Sequence, residues 1–388
     1  MPEWLAIAFL IVAWLNLAIV VICFGLLAAG YFSIRRLQDV PVQELSQWPS
    51  VSLIVPGRNE EQHVEAAIRS LATLDYPNLE FTIINDRSTD RTGEILDKLA
   101  AEFPQLNVVH LAELPAGWLG KNHALQYGAD RSRGEWLLFA DADIVFDPTV
   151  LKRAIVYAQR NQLDHLTAWP DIYARSWLMK SFLATFSIVL FMFVRVWSLR
   201  NPKSKAHIGV GAFNLVRTEA YRAIGGHTSI RMRPDDDLKL GKILKVAGFR
   251  PDFVDARGLL SLEMYPTVSV LVRAMEKNAF AGVDYRPTLM IAGSTFVMLG
   301  GVWPFLAVLI VSGPARWIYA AVCLSLLAIS ACGTRVVRAP LSCALGFPLA
   351  ALLLVYIQWR TMLLTYYKGD MQWRDTHYSL AELRANRV

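Results

Sequence analysis

The sequence predicts an α/β domain with a mainly parallel sheet, flanked by N-terminal and C-terminal transmembrane helices. Three observations predict it. Apolar runs of strand length alternate with helix-length stretches between residues 51 and 140. Two of those runs end in aspartate, one at Asp86 and one at Asp141-Ala142-Asp143. Long apolar stretches precede and follow this region, and hydrophobic residues make up 54% of the 388 against 19% charged, too apolar for an ordinary soluble domain.

In chain order, the run from Trp4 to Phe32 is broken only by Asn16 and ends in Arg35-Arg36. It exceeds the roughly 20 residues a span needs and lacks the basic start of a signal peptide, so residues 1–34 read as an anchor. The arginines after it predict a cytoplasmic C-terminal end. Residues 48–287 then read as one catalytic domain. Val51 to Pro56 is a buried strand, and Asn59-Glu60-Glu61 opens a helix reaching about Leu74. Phe81 to Asp86 is a second strand, followed by a helix capped at Thr89 or Asp90 and running to about Phe103. Val108 to Leu111 is a third strand, Gly120-Lys121 starts a helix, and Trp136 to Ala140 is a fourth strand.

Asp141 and Asp143 sit two apart at that strand's end, so they share a face. Two carboxylates on one face repel unless a cation lies between them, which suggests Mg2+ or Mn2+ holding a phosphate-bearing ligand. Aspartate is common in turns too. What sets this pattern apart is that Asp86, Asp141 and Asp143 gather beyond the carboxyl ends of parallel strands, where α/β sheets bind ligands.

Residues 177–199 are apolar, but Lys180 and Arg195 bracket a short core diluted by Ser181, Thr185 and Ser187. A span there would put Asp143 and the later acids on opposite sides of the membrane, so the segment reads as a helix lying in the interface. Gly209 to Asn214 and Arg217 to Tyr221 read as a further strand and helix. The pair Gly209/Gly211 is part of a dinucleotide fingerprint, yet no strand-turn-helix unit surrounds it, which argues against a nicotinamide enzyme. Asp235-Asp236-Asp237 then opens a helix. Acids suit a helix start, but three exceed what capping needs, and a carboxylate placed beside an acceptor hydroxyl is a general base.

Residues 288–366 carry three more apolar segments, and residues 367–388 form a tail. If all three cross, the tail ends opposite the catalytic domain; Gly346 and Pro348 allow the last segment to be re-entrant and return the tail to the cytoplasm, the reading that Trp373-Arg374, placed to reach a site, favours. The chain carries a net charge of +6, suiting an anionic lipid surface or a phosphorylated substrate. No basic run interleaved with aromatics points to nucleic acid. Cys23, Cys323, Cys332 and Cys343 lie in apolar stretches without metal-ligand spacing.

Together, Val55-Pro56-Gly57-Arg58-Asn59-Glu60, Asp86 in Asn-Asp-Arg-Ser-Thr-Asp, Gly120-Lys121, Asp141-Ala142-Asp143 and Asp236-Asp237-Leu238-Lys239-Leu240-Gly241 resemble the family 2 glycosyltransferases with a GT-A fold, over about Val51 to Gly282. Within that family the chain looks most like the membrane enzymes encoded alongside hopanoid biosynthesis, and more loosely like ceramide glucosyltransferases and carotenoid-acid glycosyltransferases. The resemblance implies that Pro56, Asn59 and Glu60 line a nucleotide pocket, Asp86 contacts the base, and Lys121 lies near the ribose or diphosphate. It implies that Asp141 contacts the nucleotide sugar, Asp143 ligates the metal, and Asp237 is the base, with Asp236 in place of the family's usual Glu. The Gln-x-x-Arg-Trp sequence of processive synthases is missing; the region reads Arg273-Ala274-Met275-Glu276-Lys277-Asn278, where Arg273 or Lys277 either pairs with diphosphate or lies on a solvated helix face. The expectation is a multi-pass inner-membrane enzyme with a cytoplasmic catalytic domain. It would transfer one sugar, from a UDP-sugar, with inversion, to a membrane lipid such as a hopanoid. Two rivals are a polyprenyl-phosphate glycosyltransferase and a non-catalytic membrane scaffold that keeps the fold.

Overall fold

The computed structural model describes residues 2–42, 45–373 and 376–388. The chain forms two units. One comprises Ser33–Ile172, Arg195–Glu263 and Ala381–Val388; the other comprises the chain up to Phe32, Tyr173–Val194 and Met264–Leu380.

The first unit is built on an eight-stranded sheet. Its strands are β1 (Arg35–Arg36), β2 (Val51–Gly57), β3 (Leu79–Asp86), β4 (Leu106–Leu111), β5 (Trp136–Phe139), β7 (His165–Trp169), β9 (Asn214–Arg217) and β10 (Pro251–Asp255), in the order β1-β10-β7-β9-β5-β2-β3-β4. A second, three-stranded sheet holds β6 (Val145–Phe146), β8 (Asp171–Tyr173) and β11 (Leu260–Glu263). In the large sheet every pairing is parallel except those of β9, which runs antiparallel to both β5 and β7. The four strands read from the sequence are β2, β3, β4 and β5. Leu53, Ile54, Val55, Leu137 and Leu138 are fully buried, as central strands covered on both faces require. Apolar clusters lie on both faces, Leu53, Val55, Ile68 and Leu138 on one and Ile54, Leu125, Leu137 and Val216 on the other.

Three sequence expectations need correction. The helix expected from Asn59 begins at Val64, because Asn59 has φ +55° and residues 60–63 form a turn. The helix expected from Thr89 or Asp90 spans Thr92–Glu102, and Asp90 caps it from two residues upstream by accepting from the Thr92 N–H at 3.0 Å. Gly209–Phe213, expected as a strand, is a loop, and the strand is Asn214–Arg217. That loop is pressed between Asp141 and the backbone of Asp237, which leaves it no strand partner.

The apolar unit contains five helices that are long and apolar enough to cross a membrane by length and composition: Glu3–Ser33, Trp177–Ser198, Pro287–Ile310, Pro314–Val336 and Leu341–Lys368. The second ends in a short turn, Val196–Ser198, that belongs to the sheet-bearing unit. At 22 residues it is longer than its bracketing charges suggested. Small residues let these helices approach: Gly333 faces Ile188 and the Ala184 carbonyl, and Gly346 faces Ser181 and Trp177. Leu309 and Trp317 are 73% and 76% exposed, the reverse of a surface made for water. Trp373 lies in a hairpin strand, Asp370–Trp373, while Arg374 falls outside the described residues. Lys277 lies over the Trp373 ring at 4.3 Å.

Leu53 has no accessible surface and sits between β3 and β5. Leu53→Ala is expected to cost about 2–5 kcal/mol and lower the unfolding midpoint in detergent by roughly 4–20 °C, whereas Val246→Ala, at an exposed position, stays within about 0.5 kcal/mol. Tryptophan fluorescence during a thermal scan reads both.

Candidate functional site

The carboxyl edge of β2, β3 and β5 delivers one group of side chains, and the start of the helix Asp236–Val246 delivers another. The Gly209–Phe213 loop joins them. The Asp141 N–H donates to the Gly211 carbonyl at 3.0 Å, and the Gly211 N–H donates to Asp237 Oδ2 at 2.9 Å. A side chain at Gly211 would collide with the Asp141 carboxylate, and one at Gly209 with the Asp237 backbone. Two residues without Cβ therefore allow the acids at the end of β5 and those on the later helix to share one site.

Lys121 stands between the acids, with Nζ 2.8 Å from Asp141 Oδ1 and 3.4 Å from Asp236 Oδ2. The surrounding carboxylates hold its ammonium pKa well above the usual lysine range, against the opposing effect of burial. Asp235 is neutralised separately by Arg233, at 2.9 and 3.0 Å, with both side chains buried. Among the described residues Asp237 has no arginine of its own, and Lys121 acts on it only in part. Its Oδ1 accepts from the Leu238 N–H at 2.7 Å, and burial with the neighbouring Asp236 charge raises its pKa to about 7. Asp143 is raised to about 7 as well, by burial and then by Asp141 and Glu60. Asp141, Asp236 and Asp237 thus crowd round Lys121, and Asp143 lies beside Asp141. Asp143 and Asp237 are the two on which negative charge is least welcome.

The nucleotide-side residues read from the sequence form a contiguous strip with these. Gly57, following Pro56, lies 3.4 Å from Ala142 at the Cβ level. The Asn59 N–H donates to Ser88 Oγ at 3.0 Å, and Asn59 Oδ1 accepts from the Thr89 N–H at 2.8 Å. The Glu60 N–H donates to Thr92 Oγ1 at 2.7 Å. Asp86 is 3% exposed and clasped by Arg87, at 2.7 and 3.1 Å. Gly120, just before Lys121, packs directly on that pair.

Several participants escaped the sequence reading. Arg87 has φ +56°, an uncommon position for any residue other than glycine. Arg233 was legible only as the cation two residues before the acids. Gly211 was visible as half of a glycine pair whose purpose is the close approach described above. His227, 1% exposed, lines a small cavity with Lys121, Asn214, Asp236 and Asp237. Its tautomer follows from its partners. Gln126 Nε2 donates to Asp130 and Gln126 Oε1 accepts from the Thr228 N–H, so the Tyr221 hydroxyl, 3.1 Å from that oxygen, donates to it. Tyr221 then accepts from His227 Nδ1–H at 2.8 Å, which leaves Nε2 as a bare acceptor. Burial, with Lys121 nearby, lowers the His227 pKa to about 3 and keeps the ring neutral.

Among the described residues no group of three acidic, histidine or cysteine side chains is arranged to hold a metal unaided. A divalent ion bound with a nucleotide diphosphate needs only one or two protein carboxylates, the rest of its shell being phosphate oxygens and water. Asp143 and Asp141 could meet that need: Asp143 is raised by burial and then by Asp141 and Glu60, and a cation relieves the second of these.

Residues 52–225 match the family model described as Glycosyl transferase family 2. This segment, a little under half of the chain, resembles a family 2 glycosyltransferase domain. The chain is 37% identical over 112 residues to the beta-monoglucosyldiacylglycerol synthase of Synechocystis, covering 28% of this chain and 23% of that enzyme. It is 25% identical over 234 residues to a 4,4'-diaponeurosporenoate glycosyltransferase of Staphylococcus aureus, covering 59% and 60%. It therefore spans less than two thirds of either relative. In structure it resembles a mannosyltransferase from Pyrobaculum calidifontis, solved in complex with GDP-Man and Mn2+, with a TM-score of 0.56 at 18% identity over 89% of this chain and 99% of that one. The domain has the GT-A fold, with the mostly parallel sheet that the sequence predicted.

Asp143 and Asp237 hold protons more tightly in the fold than in the unfolded chain. Their carboxylates therefore weaken the fold as pH rises from about 4 to about 7. A divalent ion bound to the deprotonated site would reverse this. Millimolar Mn2+ is expected to stabilise the fold by about 1.4 kcal/mol for each tenfold excess over Kd, and so to raise the melting temperature more at pH 8 than at pH 6, and not at all in Asp143→Ala. Differential scanning fluorimetry of the detergent-solubilised protein measures this; an equal rise at both pH values in the variant contradicts the assignment.

Proposed function

We propose that the protein is a membrane-bound, metal-dependent inverting glycosyltransferase that moves a single sugar from a nucleotide donor, a UDP-sugar, to a lipid acceptor. The observation that carries this reading is the hydrogen bond from the Gly211 N–H to Asp237, which ties the later acid to the loop that also bonds Asp141. One substrate can then touch both groups. The family assignment supports the reaction class, and the glucosyldiacylglycerol and carotenoid-acid names of the relatives support a hydrophobic acceptor. A hopanoid is the acceptor that the sequence resemblance favours.

In this reading Pro56, Asn59, Glu60 and Asp86 bind the nucleoside, with Arg87 holding the Asp86 carboxylate in place. Lys121 carries positive charge at the inner end of the site, beside the donor diphosphate. Asp141 and Asp143 would hold Mg2+ or Mn2+, which when bound supplies charge for the departing diphosphate. Asp237 is better suited than Asp236 to be the base, because Asp236 faces the Lys121 ammonium while Asp237 titrates near neutrality. It takes the proton of the acceptor hydroxyl as that oxygen bonds to the anomeric carbon and the bond to the diphosphate oxygen breaks. A single in-line displacement inverts that carbon.

The five apolar helices support membrane association. Both ends of the Trp177–Val194 helix lead into the sheet-bearing unit, where β9 pairs with β5 and β7. A helix so connected cannot carry the chain to the far side of a bilayer and leave one site whole, so it would lie along the membrane face or re-enter it. Likewise, the three apolar segments between Glu263 and Ala381 lead back to the unit they left. An odd number cannot all cross, which favours a re-entrant segment and a tail on the catalytic side.

Asp237→Asn is expected to lower kcat by about 10²–10⁴-fold with little change in donor KM. In the wild type kcat should rise with pH through about 7 and then level off. Purified protein in lipid vesicles with labelled sugar nucleotides and extracted lipid acceptor measures both. Undiminished turnover in Asp237→Asn overturns the base assignment. A labelled product that is acid-labile and phosphate-linked would identify a polyprenyl-phosphate acceptor instead.

A further inference from the structure

The segment Ser229–Arg233 leads directly into Asp235, Asp236 and Asp237, and two distant parts of the chain hold it. On one side, Asn122 Nδ2 donates to the carbonyls of Ile230 and Arg233 at 2.8 and 2.9 Å. The Leu119 N–H donates to the Arg231 carbonyl at 2.9 Å. Asn122 and Leu119 flank Lys121, so the lysine and the acids it faces are already tied together through backbone on this side.

On the other side stands Asn386, and it uses both ends of its amide. Oδ1 accepts from the Met232 N–H at 2.9 Å, and Nδ2 donates to the Ser229 carbonyl at 3.0 Å. This is the pairing that a neighbouring strand would make, supplied by one side chain. The orientation of the amide is fixed, because rotating it by 180° would set donor against donor and acceptor against acceptor. Two further contacts anchor the same stretch. Lys242, on the acid-bearing helix, donates to the Val388 carbonyl at 2.5 Å, and Val388 packs against the cluster containing Ile230, Leu240 and Leu244.

We propose that Asn386 is a positioning residue for the acid cluster: through it the segment Ala381–Val388 latches Ser229–Arg233 so that Asp236 meets Lys121 and Asp237 meets Gly211. The role rests on reading Asp237 as the base of a sugar transfer. Asn386 touches no reacting atom. It acts through a segment whose displacement by about 1 Å is enough to lower turnover by about two orders of magnitude. Asn386 is half-buried and Ser229 exposed, so water can replace the bond to the Ser229 carbonyl, while the N–H of the buried Met232 loses its acceptor. Both partners lie in one surface segment outside the sheet strands, so the consequence is a looser segment rather than an unfolded sheet. The donor-side residues lie on other elements, at the ends of β2 and β3, and keep their own contacts.

Asn386→Ala in the full-length protein is therefore expected to lower kcat about 10- to 100-fold while the donor KM stays within about twofold. Hydrogen exchange should quicken in the peptide covering residues 229–237 and not in those covering β2 and β3. Asn386→Asp keeps the acceptor for Met232 but turns an oxygen towards the Ser229 carbonyl, and should be impaired to a similar degree. Turnover within twofold of wild type in Asn386→Ala overturns the proposal. So does faster exchange throughout the unit with donor binding lost, which would make Asn386 a general structural residue. The two readings fail separately. If the wild type transfers no sugar, the function is wrong, and exchange over residues 229–237 still reports whether Asn386 holds the segment. If the wild type is active, Asp237→Asn inactive and Asn386→Ala unaffected, only the latch is wrong.

Discussion

Burial of carboxylates that also repel one another is the constraint on which this structure depends. Asp141, Asp143, Asp236 and Asp237 are brought to one place in partly desolvated surroundings, where each negative charge raises the cost of the next. Lys121 offsets part of that cost by facing Asp141 and Asp236. Backbone N–H groups of Gly211 and Leu238 offset part of it at Asp237. What remains appears as two acids whose pKa values stand near neutrality.

Much of the surrounding architecture serves to make that crowding possible. Arg233 removes Asp235 from the competition by pairing with it in the interior, so three consecutive acids at one helix start do three different things. Gly209, Gly211 and Gly241 give up side chains where backbone must press against backbone or carboxylate. The reversal of β9 between β5 and β7 brings the loop of glycines back across the end of β5. The same strand reversal explains why a long apolar helix intervenes between residues 172 and 195 without dividing the domain.

The fold was legible where pattern and period coincide. Val51 to Pro56, Phe81 to Asp86 and Trp136 to Ala140 are apolar runs with nothing polar to contradict them, and they became the three adjacent strands β5, β2 and β3. The other half of the sheet was not read, because His165–Trp169 and Pro251–Asp255 carry His, Thr, Pro and Asp within strands whose pairing partners are remote. The glycine loop was mistaken for a strand because Val210, Ala212 and Phe213 are apolar, though the residues that decide its shape are the glycines between them.

The sequence by itself determined the α/β class, the aspartates at strand ends and the apolar segments, since each depends on short-range order and composition. Only the tertiary structure decided which acid faces a cation and which is left to titrate. Lys121, Asp141, Asp236 and Asp237 come from three separated stretches, and their distances follow from sheet order and loop approach. It also brought Asn386 to the back of the acid-bearing segment, more than a hundred residues further along the chain. Charge interactions depend on separations that no local pattern encodes, so the candidate residues were readable in advance and their division of labour was not.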